Sequence, residues 1–197
     1  NPVLQVTFDG DFIENGAIVS PTPVINISLK DENPFLSMKD TTGISMSLKT
    51  SCSADEFERI NFSSSELNWS FDENNGEMNI EFIPERFEDG NYALQVIAED
   101  YSGNRAGITP YCIEFEVINA SSFTDFYVFP NPITKNALMF FQITGPEVPG
   151  VLELQIMNLN GKIVRTITQD EFNDLRIGKN TSQFSWNGND QTGKPLP

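Results

Sequence analysis

Asp100, Ser102 and Asn104 alternate along the stretch Asp100-Tyr101-Ser102-Gly103-Asn104, and their side-chain oxygens have the spacing of a calcium loop. Asp31, Glu32 and Asp40 can add carboxylates from nearby loops, so Asp100 and Asn104 are the candidate ligands of a Ca²⁺ ion. The same spacing has a second reading. An Asp here closes a tight turn by accepting backbone N–H bonds, with Gly103 at positive φ. Asn187, Asn189, Gln191 and Gly193 imitate the first half of an EF-hand loop but lack its carboxylates. Glu114 and Glu116 lie on one face of an extended segment, roughly 7 Å apart at two residues' rise. Paired carboxylates can do glycosidase chemistry. That face reads as solvent, however, and nothing else in the chain suggests a cleft. Asn61-Phe62-Ser63, Asn68-Trp69-Ser70, Asn119-Ala120-Ser121 and Asn180-Thr181-Ser182 fit the N-glycosylation pattern, which an Asn- and Ser-rich chain also meets by chance.

What is missing narrows the chemistry further. The chain has no histidine, which removes Ser-His-Asp and Cys-His nucleophiles and His-containing zinc sites. Cys52 and Cys112 have no basic pair beside them to activate a thiolate. They can form one bridge in an oxidising compartment or remain two thiols, each near the end of a different strand. The reading is therefore non-catalytic.

Charge and length set the remaining bounds. With 12 Lys and Arg against 28 Asp and Glu, the 197 residues carry a formal net charge of −16. Such a chain repels phosphate backbones and anionic head groups, so nucleic acid is not an expected partner. The field favours cations, but most of it reads as a solvated surface. No apolar run approaches the roughly 20 residues of a membrane span, so direct membrane insertion is not expected. The sequence opens at Asn1-Pro2-Val3 without a signal peptide, and we expect an internal or C-terminal piece of a larger protein.

The elements that must position these residues are short strands. Period-two alternation recurs between clusters of Gly, Asn, Asp and Pro. Strands are predicted over 3–8, 23–29, 43–48 and 78–82, with a weak segment over 57–71. After Asp89-Gly90, Tyr92, Leu94, Val96 and Ala98 share one face. Tyr111, Ile113, Phe115 and Val117 do the same in the next strand. Roughly seven strands over residues 1–118 have the size and pattern of an immunoglobulin-like sandwich. Tyr92 suits a tyrosine corner or an ordinary core position. Residues 119–122 read as a linker. A second set follows over 126–129, 137–144, 151–158, 162–168 and 183–186, with Asn160-Gly161 as a hairpin turn. The expected fold is all-β, with two tandem immunoglobulin-like sandwiches over 1–118 and 123–197. The second lacks at least one closing strand, so we expect the natural polypeptide to continue beyond Pro197.

The second half carries a family resemblance. Tyr127-Val128-Phe129-Pro130-Asn131-Pro132 resembles the Tyr-Pro-Asn-Pro start of C-terminal modules in large secreted Bacteroidetes proteins. Leu154 to Arg165, turning at Gly161, is similar to their central hairpin. Trp186-Asn187-Gly188-Asn189-Asp190-Gln191-Thr192-Gly193 is similar to their Trp-Asp-Gly turn, with Asn187 where Asp is usual. The motif residues are thus Asn131, Pro132, Gly161, Trp186, Gly188, Asp190 and Gly193. These modules resemble the immunoglobulin-like domain of flagellar hook-capping (FlgD-like) proteins and the sorting domains of type IX secretion substrates. In that family another strand follows directly. Residues 1–118 resemble more loosely the domain that often precedes this tail, through Phe8-Asp9-Gly10, 89–104 and 111–117. The pairing occurs in relatives of gingipain cysteine peptidases and the PorU sortase.

The resemblance implies a structural and secretion-targeting region of a cell-surface protein, exported by the type IX system. Its partners would be the secretion machinery or outer-membrane components, and other domains of the parent. Any peptidase domain would lie upstream. No cofactor is implied beyond the Ca²⁺ considered above. The alternative expectation is a carbohydrate- or protein-binding adhesin module, with or without calcium.

Overall fold

The computed structural model describes residues 2–30, 40–100, 102–172, 174–182 and 185–196. The chain is all-β. Among the described residues there is no α-helix, only a 3-10 turn at Gln169–Glu171. The chain divides into two compact units, Asn1–Asn119 and Ala120–Pro197.

Unit 1 contains β1 (Val3–Phe8), β2 (Ala17–Val19), β3 (Ile25–Lys30), β4 (Ile44–Lys49), β5 (Glu58–Arg59), β6 (Leu67–Asp72), β7 (Glu77–Phe82), β8 (Gly90–Ala98) and β9 (Tyr111–Val117). One sheet is ordered β1-β3-β7-β6 and the other β2-β9-β8-β4-β5. This two-sheet order is that of an immunoglobulin-like sandwich. The cause is register. Side chains alternate between faces along a strand, so residues paired across strands share a face. Phe8, Ile25, Phe82 and Leu67 form one row across the first sheet, and Val6, Ile27 and Ile80 form the next. All seven are buried, and Met46, Leu94, Val96, Phe115 and Val117 of the other sheet join them in one core. Each such side chain contributes about 1.5–3 kcal/mol on leaving water.

Two further ties hold unit 1. Tyr92 Oη donates to the Glu88 carbonyl, 3.1 Å away and four residues upstream, which is tyrosine-corner geometry. The same ring lies 4.6 Å from Phe87 and 5.7 Å from Phe115, centroid to centroid. Cys52 and Cys112 form a disulfide across a sequence separation of 60, with Cα atoms 5.9 Å apart. Glu114, on the strand face read from sequence as solvent, accepts the Cys52 N–H at 2.8 Å and helps seat that loop.

Several elements differ from the sequence reading. β2 is only three residues long, too short for alternation to register, and it pairs parallel with β9. The weak segment 57–71 separates into β5 and β6. Asn119, read as linker, is anchored within unit 1. Its backbone N–H and side-chain amide both donate to Asp89, and Arg86 donates to its oxygen.

Unit 2 contains β10 (Ser122–Phe129), β11 (Leu138–Thr144), β12 (Glu153–Met157), β13 (Ile163–Thr168) and β14 (Gly178–Thr181). Sheet β10-β11-β14 faces the pair β12-β13. Met139, Phe141, Ile143, Ile167 and Phe172 are their shared core. β10 begins at Ser122, inside the stretch read as linker. A strand was expected over 183–186. Gln183 and Phe184 lie outside the described residues, and Trp186 makes an isolated bridge to Ala137. The strand beside β11 is instead β14, Gly-Lys-Asn-Thr, which has no apolar alternation. Asn180 supports it by accepting the Arg176 N–H at 3.0 Å and donating to the Arg176 and Gly178 carbonyls.

Two stability changes follow. Replacing Cys52 and Cys112 together by Ser should lower the unfolding free energy by about 2–4 kcal/mol, because a long loop is released in the unfolded chain. Tyr92→Phe should cost about 1 kcal/mol through the lost hydrogen bond. Urea unfolding reads both, and unchanged midpoints would remove these ties from the structure's support.

Candidate functional site

Three turns share one construction. In each, a side-chain oxygen accepts the backbone N–H groups two and four residues ahead. Asp100 Oδ1 takes Ser102 and Asn104 at 2.8 and 2.9 Å. Asn158 Oδ1 takes Asn160 and Lys162, both at 3.0 Å. Asp190 Oδ1 takes Thr192 and Lys194, both at 2.9 Å. The backbone closes around each in the same way. The first residue's N–H donates to the fifth residue's carbonyl, and the fourth residue's N–H donates back to the first carbonyl. That fourth residue is Gly103, Gly161 or Gly193, at φ +79°, +75° or +84°. Only glycine adopts this conformation without strain.

Asp100 and Asn104 are bonded to each other. Asp100 Oδ2 accepts the Asn104 side-chain amide at 2.7 Å, so both carboxylate oxygens serve the turn. Asp31 and Glu32 lie outside the described residues. Asp40 binds the Thr42 N–H at 3.0 Å and the Thr42 hydroxyl. Among the described residues no group of three or more acidic or cysteine side chains is placed to hold a metal.

The family-motif residues have local structural jobs in unit 2. Trp186 pairs with Ala137 through both backbone hydrogen bonds, and its indole N–H donates to the Asn189 carbonyl at 2.9 Å. Gly188 sits at φ +78° and accepts the Leu196 N–H at 3.0 Å. Gln191 docks the Asp190 turn on β13, donating to Val164 and accepting from Thr166. Asn131 and Pro132 are exposed after β10, with cis bonds at Phe129–Pro130 and Asn131–Pro132.

An apolar contact surface lies in unit 2. A groove of about 410 Å³ opens where β10 and β12 border the core, lined by Phe126, Val128, Met139, Leu154, Ile156 and Trp186. Among the described residues, β10 and β12 each have one edge without a strand neighbour. Phe126 is 52% exposed, Tyr127 55%, Phe129 65% and Met157 53%. Exposed apolar side chains gathered at open strand edges mark contact surfaces. Charge divides the same way. Unit 1 has 21 acidic and 6 basic residues, a net of −15, while unit 2 has 7 and 6, a net of −1. Long-range repulsion therefore belongs to unit 1, and the apolar edge belongs to the nearly neutral unit. Neither the groove nor this division was visible as a motif, because the groove's residues come from four separate segments.

Hydrogen bonding holds the turn carboxylates ionised. The pKa of Asp100 is lowered first by the Asn104 side chain, and that of Asp190 by the Thr192 side chain. Asp72 and Asp89 are lowered by the backbone N–H groups of Asn74 and Asn119. A depressed folded pKa gives stability that is present above the unfolded value, 3.8, and is lost as pH falls through the folded value. Asp9 runs the other way, raised chiefly by burial. Because Asn158 builds the same turn with an amide but without the charge, Asp100→Asn with Asp190→Asn should keep the fold, melt below wild type at neutral pH and lose less stability on acidification. The matching Ala pair should melt lower at every pH. Equal acid sensitivity of the Asn pair and wild type in thermal melts would contradict this role. Millimolar Ca²⁺ should leave the wild-type melting temperature unchanged, since a bound ion must raise it.

No protein-family model matches the chain, and no curated protein matches it. Among solved structures the chain is similar to dimeric latent PorU from Porphyromonas gingivalis, at 16% identity and a TM-score of 0.44. That similarity covers all of this chain and 18% of the PorU chain, so the present sequence spans about a fifth of it. The sandwich assignment rests on the sheet order and register described above.

Proposed function

We propose that this chain is a non-catalytic structural and secretion-targeting region of a larger cell-surface protein, exported by the type IX system. Unit 1 serves as a charged spacer that keeps the surface hydrated, and unit 2 is the part that export or outer-membrane components recognise. The observation that carries the reading is the open apolar edge at β10 and β12 on a unit of nearly zero net charge. Supporting it, the secretion-type motif residues Gly161, Trp186, Asp190 and Gly193 build the turns beside that edge. No catalytic residue is part of the reading, and a peptidase domain would be supplied elsewhere in the parent.

The test is export. This region, kept in its natural polypeptide context and joined to a reporter, should carry the reporter to the surface of a type IX-competent strain. It should not do so in a strain without the translocon. Phe126→Asp with Met157→Asp should reduce export at least tenfold while unit 1 keeps its fold. Reporter retained inside the competent strain would contradict the proposal.

A further inference from the structure

We propose that the open edge of β6 in unit 1 takes up, as an added strand, an extended segment of another polypeptide in which Lys or Arg alternates with apolar residues. This goes beyond the export reading and concerns the other unit.

The edge is defined by the ladder. β6 is the last strand of sheet β1-β3-β7-β6 and pairs with β7 alone, over six residues without a register shift. Antiparallel pairing turns the N–H and C=O of alternate residues toward the partner and those of the residues between them away. The Ile83 N–H donates to the Glu66 carbonyl at 2.8 Å, so Asn68, Ser70 and Asp72 are the residues bonded to β7. Trp69 and Phe71 therefore direct their backbone groups to the open edge. Among the described residues neither has a backbone bond to another segment. Edges of this kind are ordinarily kept short or blunted by Lys, Pro or a bulge. In the other sheet the edge strands β2 and β5 are three and two residues long. β6 has six residues, no Lys, no Pro and no bulge, and its one charge is Asp72 at the hairpin end.

The side chains select what covers it. Trp69 and Phe71 lie in the core-facing rows, opposite Ile80 and Met78. Even so, Trp69 is 43% exposed and Phe71 only half-buried. Side chains paired across strands share a face, so alternate residues of an incoming strand meet Trp69 and Phe71 and are best apolar. The residues between them fall beside Asn68, Ser70 and Asp72, on the outward face that also carries Glu77 and Glu81.

Charge sets the sign of that second group. From 66 to 85 the chain has six carboxylates, Glu66, Asp72, Glu73, Glu77, Glu81 and Glu85, and no Lys or Arg. The sheet's one cation, Lys30, stands on β3 opposite Glu77, with β7 between it and the edge. This field attracts a cationic strand and repels a second copy of the chain, whose unit 1 also carries a net −15. In strand addition the main-chain bonds supply affinity and the alternate side chains supply specificity.

Amide hydrogen exchange on the purified chain tests this, with the capped synthetic peptide Lys-Val-Lys-Val-Lys-Val-Lys as the probe. In the free protein the Trp69 and Phe71 amides should exchange faster than those of Asn68 and Ser70. With the peptide they should slow at least tenfold. Glu-Val-Glu-Val-Glu-Val-Glu should leave them unchanged. So should Lys-Gly-Lys-Gly-Lys-Gly-Lys, which has the charge without the apolar face. Asn68→Lys with Ser70→Lys adds cations at two exposed outward positions. This double variant should keep the wild-type melting temperature and weaken the protection at least tenfold. Four results would overturn the inference. They are no protection at millimolar peptide, equal protection by either control peptide, equal protection of the double variant, or protection that appears without peptide as protein concentration rises. None of these bears on export, so each reading can fail alone.

Discussion

One side-chain oxygen accepting two backbone N–H groups closes the turns at Asp100, Asn158 and Asp190, and the sheets depend on closures of this kind. A strand has a period of two, so a slip of one residue exchanges its buried and exposed faces. By holding the first and fifth residues of each turn together, the Asx oxygen and the following glycine fix where the chain folds back, onto β13 at Asn158 and into the single bridges Glu99–Arg105 and Asn189–Pro195 at the other two. In unit 2 the Asn158 turn sets β12 against β13, which places Leu154 and Ile167 opposite each other beside the core. The Asp190 turn then docks on β13 through Gln191. Of the two readings of Asp100 in the sequence, its hydrogen bonds are those of the turn former.

Once register is set, the two faces of each sheet acquire different chemistry. In unit 1 the inward rows are aliphatic and aromatic, and the outward rows of the four-stranded sheet mix amides and hydroxyls with the charges of Lys30, Asp72, Glu77 and Glu81. The large negative charge is confined to unit 1. Unit 2 has almost no net charge and leaves apolar side chains at open strand edges. The two units thus differ in the kind of partner that their surfaces suit, although both follow from the same alternation.

Much of this was legible in the sequence. Alternation located β1, β3, β4, β7, β8 and β9, because each buries one face over six or more residues. Asp89-Gly90 followed by Tyr92 pointed to the corner, and Asn160-Gly161 to the β12–β13 hairpin. The remainder had no local signal. β2 is too short to show a period, and β14 is held by its neighbour and by Asn180 rather than by apolar side chains. The Cys52–Cys112 bridge depends on a loop folding back on β9. The outward face of β1-β3-β7-β6 joins residues from four strands, so its composition has no local signal. The repeated turn was half visible, since Asp100 was read correctly as a possible turn former while Asn158 and Asp190 were not grouped with it.

The most direct measurement is a ¹H–¹⁵N NMR titration of the backbone amides at the three turns. Ser102 and Asn104 should move together as Asp100 protonates, and Thr192 and Lys194 as Asp190 does, with midpoints below 3.8. Asn160 and Lys162 should stay still over the same range, because Asn158 does not titrate. Midpoints at or above 3.8, or amides that fail to report the carboxylate two and four residues behind them, would contradict the claim that these oxygens close the turns.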